Sequence, residues 1–494
     1  MRDVREIIRS ELTPFNRYKT GWSQLLAWVY PNGYEVGMSN IGYQWLFEIL
    51  NDHQHLLVER FFHLNRGEPK SIEGGRPLRE FPIIALSMPY EMDIFNFLNM
   101  LSESGIPLRS CDRENGQIVV VGGDAVTLNP FPFAEFFDII VLGCGEAWAR
   151  QFPEILREMP AGLSSKESIL DEAAKIPGVW IPARDNGGEI QRSPNTRVTP
   201  AYTPILTSFG HFRNMFLVEI QRGCAFRCAF CASSWLGTPF FNYDTDSILE
   251  TYNNYGQSAG RVGLVGSAVS EHPQFEKIVR GFGDSGIGVS PSSLRFDRIS
   301  EATIASIAQT GIRKLTFAPE TASENLARRI GKWIPPKDII DYVSNADKLG
   351  FREVKLYWIV GLPGESADDI ECDARAIADI ASATDMKIGC SINPFIPKPH
   401  TVFQREAMPS HSDLSRTISI LKKSIGKRRN LRIDFNYSRR TRISALLSIG
   451  GREISPVLLD IANGQGIKKA FRDHGIDIDD KIVAPISPEW ERII

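Results

Sequence analysis

Short, continuously apolar runs recur along this chain, each closing on a glycine or polar turn and followed by an amphipathic helical pattern. A strand that is apolar at every position has both faces buried, which a parallel sheet covered by helices on both sides provides. The alternation therefore restricts the chain to α/β architectures. In the N-terminal third the runs lie at residues 25–30, 82–87, 117–121 and 137–142, with helical patterns at 41–51 and 92–104. They predict a doubly wound parallel sheet over residues 20–160. Such sheets bind ligands beyond the C-terminal ends of their strands. Here those ends carry Gly37, Gly122-Gly123 and Gly143-Cys-Gly-Glu146.

Residues 177–212 are rich in Pro, Asn, Gly, Ser and Thr and mark a connector, placed at 161–212. From Phe216 the alternation restarts, with strands expected at 216–221, 261–265, 288–290, 314–317, 353–361 and 387–392. Helical patterns separate them at 246–255, 274–282, 301–310, 336–349 and 367–383. Six strand–helix repeats predict a partial (β/α)6 barrel over residues 213–405, where chemistry gathers at the C-terminal strand ends. Residues 406–494 form a helix-rich tail with one further strand at 431–435.

A length of 494 residues allows two or three domains with sizeable cores. The net charge of −3 gives no bulk attraction to nucleic acid or anionic lipid, and a nucleic-acid partner is not expected. The seven cysteines are odd in number and three of them cluster, which argues against a disulfide framework and for a reducing compartment. The first eleven residues carry charges throughout, leaving no apolar signal-peptide region, and no apolar run is long enough to span a bilayer. A cytoplasmic protein is expected.

Cys224, Cys228 and Cys231 occupy the loop leaving the first barrel strand. Thiolates are soft ligands suited to iron–sulfur clusters or zinc. Structural zinc sites close all four positions, usually with two Cys or His pairs, and no second pair occurs here. Three thiolates on a four-iron cluster leave one iron open to a ligand that is not protein. At the other strand ends, Arg295 can fork onto a carboxylate. Glu320 can accept from an ammonium or a ribose hydroxyl. Phe230, in the cysteine loop, and Ile392, at the end of the last barrel strand, lie at the same edge. Cys372 and Cys390 read as core residues, and His53 and His55 as helix-surface residues.

The run Gly223-Cys-Ala-Phe-Arg-Cys-Ala-Phe-Cys231, with Phe230 before its last cysteine, resembles the signature of the radical S-adenosylmethionine (radical SAM) superfamily. The resemblance implies a [4Fe–4S] cluster on Cys224, Cys228 and Cys231, with S-adenosylmethionine on the open iron. One electron, from a reductant such as flavodoxin or ferredoxin, would cleave it to a 5′-deoxyadenosyl radical. Ser267 stands where many members carry a Gly-Gly-Glu stretch near the methionyl amine, a motif this chain lacks.

Thr316-Phe-Ala-Pro-Glu320, Gly361-Leu-Pro-Gly-Glu365 and Pro394-Phe-Ile-Pro-Lys-Pro-His400 are similar to the branch with an N-terminal cobalamin-binding-type domain. Tyr34-Glu-Val-Gly-Met-Ser39, Gly122-Gly123 and Gly143-Cys-Gly-Glu146 fit the same branch. That resemblance implies cobalamin on the N-terminal sheet, near Ser39, Asn40, Gly122, Gly123 and Glu146, and methyl transfer to an unactivated carbon. The Asp-x-His-x-x-Gly motif of base-off cobalamin proteins is absent, so the cobalt is expected to lack a protein imidazole. Other readings stand beside this one. They are a cobalamin-free radical SAM oxidoreductase or mutase, a methylthiotransferase-like enzyme and a non-enzymatic iron–sulfur electron carrier. The second needs three N-terminal cysteines where only Cys111 and Cys144 occur. The substrate, small molecule or peptide, is not specified by any of these residues.

Overall fold

The computed structural model describes residues 4–494 apart from 16–18, 65–66, 114–115, 160–164, 197–198, 293, 295–299 and 487. Six strands make the first sheet: Gln24–Tyr30 (β1), Leu56–Phe62 (β2), Ile83–Ser87 (β3), Ile118–Gly122 (β4), Ile139–Val141 (β5) and Val179–Trp180 (β6). Their order is β2-β1-β3-β4-β5-β6, parallel except for the antiparallel β6. Successive residues supply two cores. Leu26, Trp28, Ile83, Ala85, Ile118 and Val120 face the helices Ile41–Asp52 and Glu146–Glu158. Ala27, Val29, Ile84, Leu86, Val119 and Val121 face the helix Asp93–Glu103 and its neighbours. Burial on both faces is what the unbroken apolar runs demand.

The apolar pattern does not reveal β2, because Glu59 and Arg60 interrupt it. Both charges are buried, at 2% exposure each. Arg60 is satisfied by Glu73 Oε1 at 2.6 Å and Glu11 Oε2 at 2.8 Å, while Glu59 pairs with Arg76. Buried charges persist only when paired in this way.

The second sheet system begins with Phe216–Glu219 (β7) and the short Gln221–Arg222 (β8) and Phe241–Asn242 (β9), which pair antiparallel. It continues with Arg261–Val265 (β10), Gly288–Pro291 (β11), Lys314–Glu320 (β12), Glu353–Val360 (β13), Lys387–Pro394 (β14) and Leu431–Phe435 (β15). β7, β10 and β11 form one parallel sheet and β12 to β15 another, joined by a parallel bridge between Leu294 and Phe317. The result is an open barrel. Beyond the six expected strands, β15 adds a seventh, from the C-terminal region.

That region also covers the N-terminal sheet. Ile443, Leu447, Val457, Leu458 and Trp490 belong to the same core as Phe97 and Phe131. Asn129 Nδ2 donates to the carbonyls of Ser448 (3.1 Å) and Gly450 (2.7 Å), and Ser455 Oγ donates to Pro132 O at 2.9 Å. Among the described residues no helix is long and apolar enough to cross a membrane.

Candidate active site

The loop carrying the three cysteines is clasped at its base by the β8–β9 pair. Gly223, at φ +79°, lies back to back with Gly237, and a Cβ on either would collide with the other's backbone. Only glycine fits there. Cys231 N donates to Cys228 O at 3.0 Å, closing a tight turn. Ala229 N donates to Ile330 O and Phe403 N to Ala229 O, both at 2.9 Å, fixing the middle of the loop. Beneath it, Ala229 joins Leu326, Ile330, Leu362, Phe395 and Phe403 in a small apolar cluster against which Phe230 packs. Cys224, Cys228 and Cys231 are half-buried and in no disulfide. Three soft donors on a rigid, accessible loop fit an iron–sulfur cluster.

The neighbouring strand ends are equally anchored. Glu320 is 8% exposed, adopts φ +68° at an irregularity in β12, and accepts from Lys332 Nζ at 2.8 Å. Asp373 holds the next turn by accepting from Thr321 Oγ1 (2.9 Å) and Ala322 N, and burial pushes its carboxyl up to about 7. Glu365 Oε2 accepts from Gly361 N at 2.8 Å, while its Oε1 is buried with no hydrogen-bond partner. Burial lifts this carboxyl to about 8. Ile392 is buried in β14, Ser267 is exposed, and Arg295 lies outside the described residues.

Two adjoining cavities, of about 360 and 320 Å³, run from the C-terminal edge of the first sheet to the cysteine loop. They share Gly42, Asp124, Gly143, Gly145 and Glu219 among their lining residues. Asn40, Gly122 and Gly123 line the first, and Cys144, Glu146, Arg222, Gly223 and Ser267 the second. Gly123, at φ +129°, presses on the Met88 carbonyl, which a Cβ would meet at 2.5 Å. A Cβ on Gly145 would meet Leu46 Cδ1 at 2.9 Å. Among the described residues no histidine lines either cavity. Gly123, Gly143 and Gly145 are required by close packing on Met88, Ser193 and Leu46, and that packing leaves backbone along the wall of the recess. Asn40 lines it while capping the helix Ile41–Asp52, its side chain accepting from Tyr43 N at 2.8 Å. Ser39 is not among the lining residues. Its hydroxyl donates to Glu35 O (2.6 Å) and accepts from His211 N (2.9 Å).

The two regions meet at Arg222, which directly precedes Gly223 and Cys224. Its Nη1 donates to Glu146 Oε1 (2.7 Å) and Cys144 Sγ (3.2 Å), and its Nη2 to Glu219 Oε2 (2.7 Å). Burial works against this guanidinium's charge, but Glu219 and Glu146 outweigh it and hold it protonated. Burial would likewise raise the Glu146 carboxyl, yet Arg222 keeps it below its usual range. Burial and the Glu146 charge push the Cys144 thiol up to about 12, so it stays protonated and donates to Glu146 Oε2 at 2.6 Å. Asp124 opens onto both cavities, and the surrounding protein, with Glu91, raises its carboxyl. A second tie links Lys398, in the loop after β14, to Glu91 and to Ser448 Oγ at 2.7 Å. Next to it, His400 stacks on Trp235 with centroids 3.5 Å apart and is held neutral by burial. Sequence reasoning missed Arg222, Glu219, Lys332, Glu91 and Lys398. A lone charge reads as surface until its partner's position is known.

The family described as the radical SAM superfamily matches residues 218–377, from β7 into the helix after β13. A second, described as radical SAM proteins, N-terminal, matches residues 42–182. The chain belongs to the radical SAM superfamily. As a radical SAM enzyme it uses a [4Fe–4S] cluster and S-adenosylmethionine. An uncharacterised protein of Methanocaldococcus jannaschii is 28% identical over 436 residues, covering 88% of this chain and 90% of the relative. An uncharacterised methyltransferase of Pyrococcus horikoshii is 26% identical over 274 residues, 52% of this chain and 57% of its own. Among solved structures, the radical SAM methyltransferase TsrM of Kitasatospora setae, with cobalamin and [4Fe–4S] cluster bound, superposes with a TM-score of 0.55. It is 13% identical, over 92% of this chain and 99% of that one. The cobalamin-dependent radical enzyme OxsB, with aqua-cobalamin and S-adenosylmethionine bound, gives 0.51 at 12% identity, over 94% and 65%. At such identities these likenesses show the fold, a parallel-sheet domain ahead of a radical SAM barrel.

Proposed function

We propose that this radical SAM enzyme is a cobalamin-linked methyltransferase acting on an unactivated carbon. One observation carries the reading: a glycine-lined recess, free of histidine among the described residues, extends to Gly223 and Ser233 at the two ends of the cysteine loop. TsrM and OxsB, whose fold it shares, bind cobalamin. When bound, the reduced cluster supplies the electron that cleaves S-adenosylmethionine, and the corrinoid supplies the methyl carrier.

On this reading Cys224, Cys228 and Cys231 ligate the cluster. Phe230, Ser267, Arg295, Glu320 and Ile392 bind S-adenosylmethionine, with Lys332 orienting the Glu320 carboxylate. Gly122, Gly123, Gly143 and Gly145 let the backbone approach the corrinoid, and Asn40 and Asp124 offer polar contacts at its edge. Arg222 sets the spacing between the recess and the cysteine loop through Glu146.

The test is to purify the protein from cobalamin-supplemented cells, reconstitute it anaerobically and reduce it. The expected result is a retained corrinoid spectrum together with 5′-deoxyadenosine formation that responds to methylcobalamin. No retained corrinoid, with 5′-deoxyadenosine formation indifferent to methylcobalamin, would instead select the cobalamin-free oxidoreductase or mutase.

A further inference from the structure

The helices Ile41–Asp52 and Glu146–Glu158 begin at the recess and run away from it. With 12 and 13 residues they carry the chain about 18–20 Å to the far end of the sheet. There His53 ends the first helix, His55 lies in the turn before β2, and Glu154 projects from the last turns of the second. One ligand atom from each of the three lies within 4.8 Å of the others. His53 Nδ1 is 2.9 Å from Glu154 Oε1, and the two imidazole rings face edge to face with centroids 5.7 Å apart.

We propose that His53, His55 and Glu154 bind a divalent transition-metal ion, zinc in the first place. Two imidazoles with one carboxylate select such ions over calcium or magnesium, which favour all-oxygen sites. Tetrahedral zinc with bonds of about 2.0–2.1 Å holds neighbouring ligand atoms roughly 3.3 Å apart. The His53–Glu154 separation is therefore already close to one edge of that tetrahedron.

The surroundings orient the donors as metal sites require. His55 Nε2 lies 2.8 Å from the Pro153 carbonyl, which fixes the proton on Nε2 and leaves the Nδ1 lone pair for a metal. The second carboxylate oxygen of Glu154 is held by Arg157 Nη2 at 2.8 Å. An ordinary ion pair accounts for His53 and Glu154, but not for the second imidazole arriving with its outer nitrogen already engaged. Coordination through His53 Nδ1 replaces its hydrogen bond to Glu154 with a bond to the metal, releasing any proton the two share. The fourth position remains for water, which reaches His53 from the cavity of about 870 Å³ that it lines. The ion would act structurally, tying together the far ends of two helices whose near ends wall the recess.

The experiment uses the full-length, cluster-reconstituted protein, whose three clustered cysteines are then occupied by iron. It is incubated anaerobically with zinc chloride, gel-filtered and analysed for zinc and iron, and its melting temperature is recorded with and without zinc. The expected result is one zinc per chain and a zinc-dependent rise in melting temperature. Retention should fall at least tenfold in His55→Gln and in Glu154→Gln, with iron content unchanged. Glu158→Gln, an exposed carboxylate on the same helix, should retain zinc as the unmodified protein does. Wild-type protein that retains no zinc overturns the site. So does equal retention by all four proteins, which marks adventitious surface binding.

Discussion

The cysteine loop and the recess of the N-terminal sheet touch at Arg222 but are built by opposite means. The loop declares its ligand through side chains, with three thiols within eight residues, Cys224 to Cys231. The recess is defined by shape, walled by glycines from separate strand ends that pack closely on their neighbours. A donor set chosen for chemistry is compact in sequence and intolerant of any single change. A surface chosen for shape is dispersed, and each residue contributes a little.

The sharpest break between the two should come from Cys228→Ala. It should abolish the four-iron absorption and S-adenosylmethionine cleavage outright while leaving the melting temperature nearly unchanged. Cys390→Ala, in the core of β14, should keep the chromophore. A full cluster in Cys228→Ala would remove the distinction altogether. Next in size is Arg222→Ala, which strands Glu146 and Glu219 at the seam. Breaking a buried pair of this kind costs roughly 3–5 kcal/mol, readable by urea unfolding, and Arg222→Lys should recover only part because the fork is lost.

On the recess side, Gly145→Ala should lower corrinoid retention about tenfold, near 1.4 kcal/mol, by driving Leu46 into the space. Its cluster content should stay at the wild-type value, and loss of both would show that the regions are not separable. The smallest effect concerns Glu365. An unfolded Glu365 ionises near 4.5 and the folded one near 8, so the folded state holds an extra proton between those values. Stability should fall as pH rises through that window. Melting curves of Glu365→Gln at pH 5 and pH 8 should show a smaller fall than the wild type.

The same contrast governs what could be seen in the sequence. Strands buried on both faces announce themselves. The two-residue β6, inside the expected connector, and β8 and β9 do not stand out as runs of their own, but among strands of three or more residues β1, β3 to β5, β7 and β10 to β14 follow the apolar runs closely. β2 is the exception, because its buried Glu59 and Arg60 are stabilised by partners 13 to 49 residues away, in Glu73, Arg76 and Glu11. The cysteine triplet was legible because its spacing is local. Asn40 and the glycines were legible as strand-end turns, but their convergence with Asp124 and Glu219 depends on how two domains dock. Ser39 reads the same as Asn40 in sequence. Only the position of His211 decides that its hydroxyl serves the connector.

The C-terminal region belongs to both halves of the molecule. Through β15 it extends the barrel sheet, and through Ile443, Leu447, Val457 and Leu458 it roofs the N-terminal sheet. Domains joined by a single seam swing by default, unless the interface is large and apolar. Here the chain doubles back and stitches a second seam, so a hinge opening between sheet and barrel would have to strip those side chains into water. At about 1.5–3 kcal/mol for each, that excursion is closed to thermal motion. A substrate then has to enter past the loops while the scaffold stays shut.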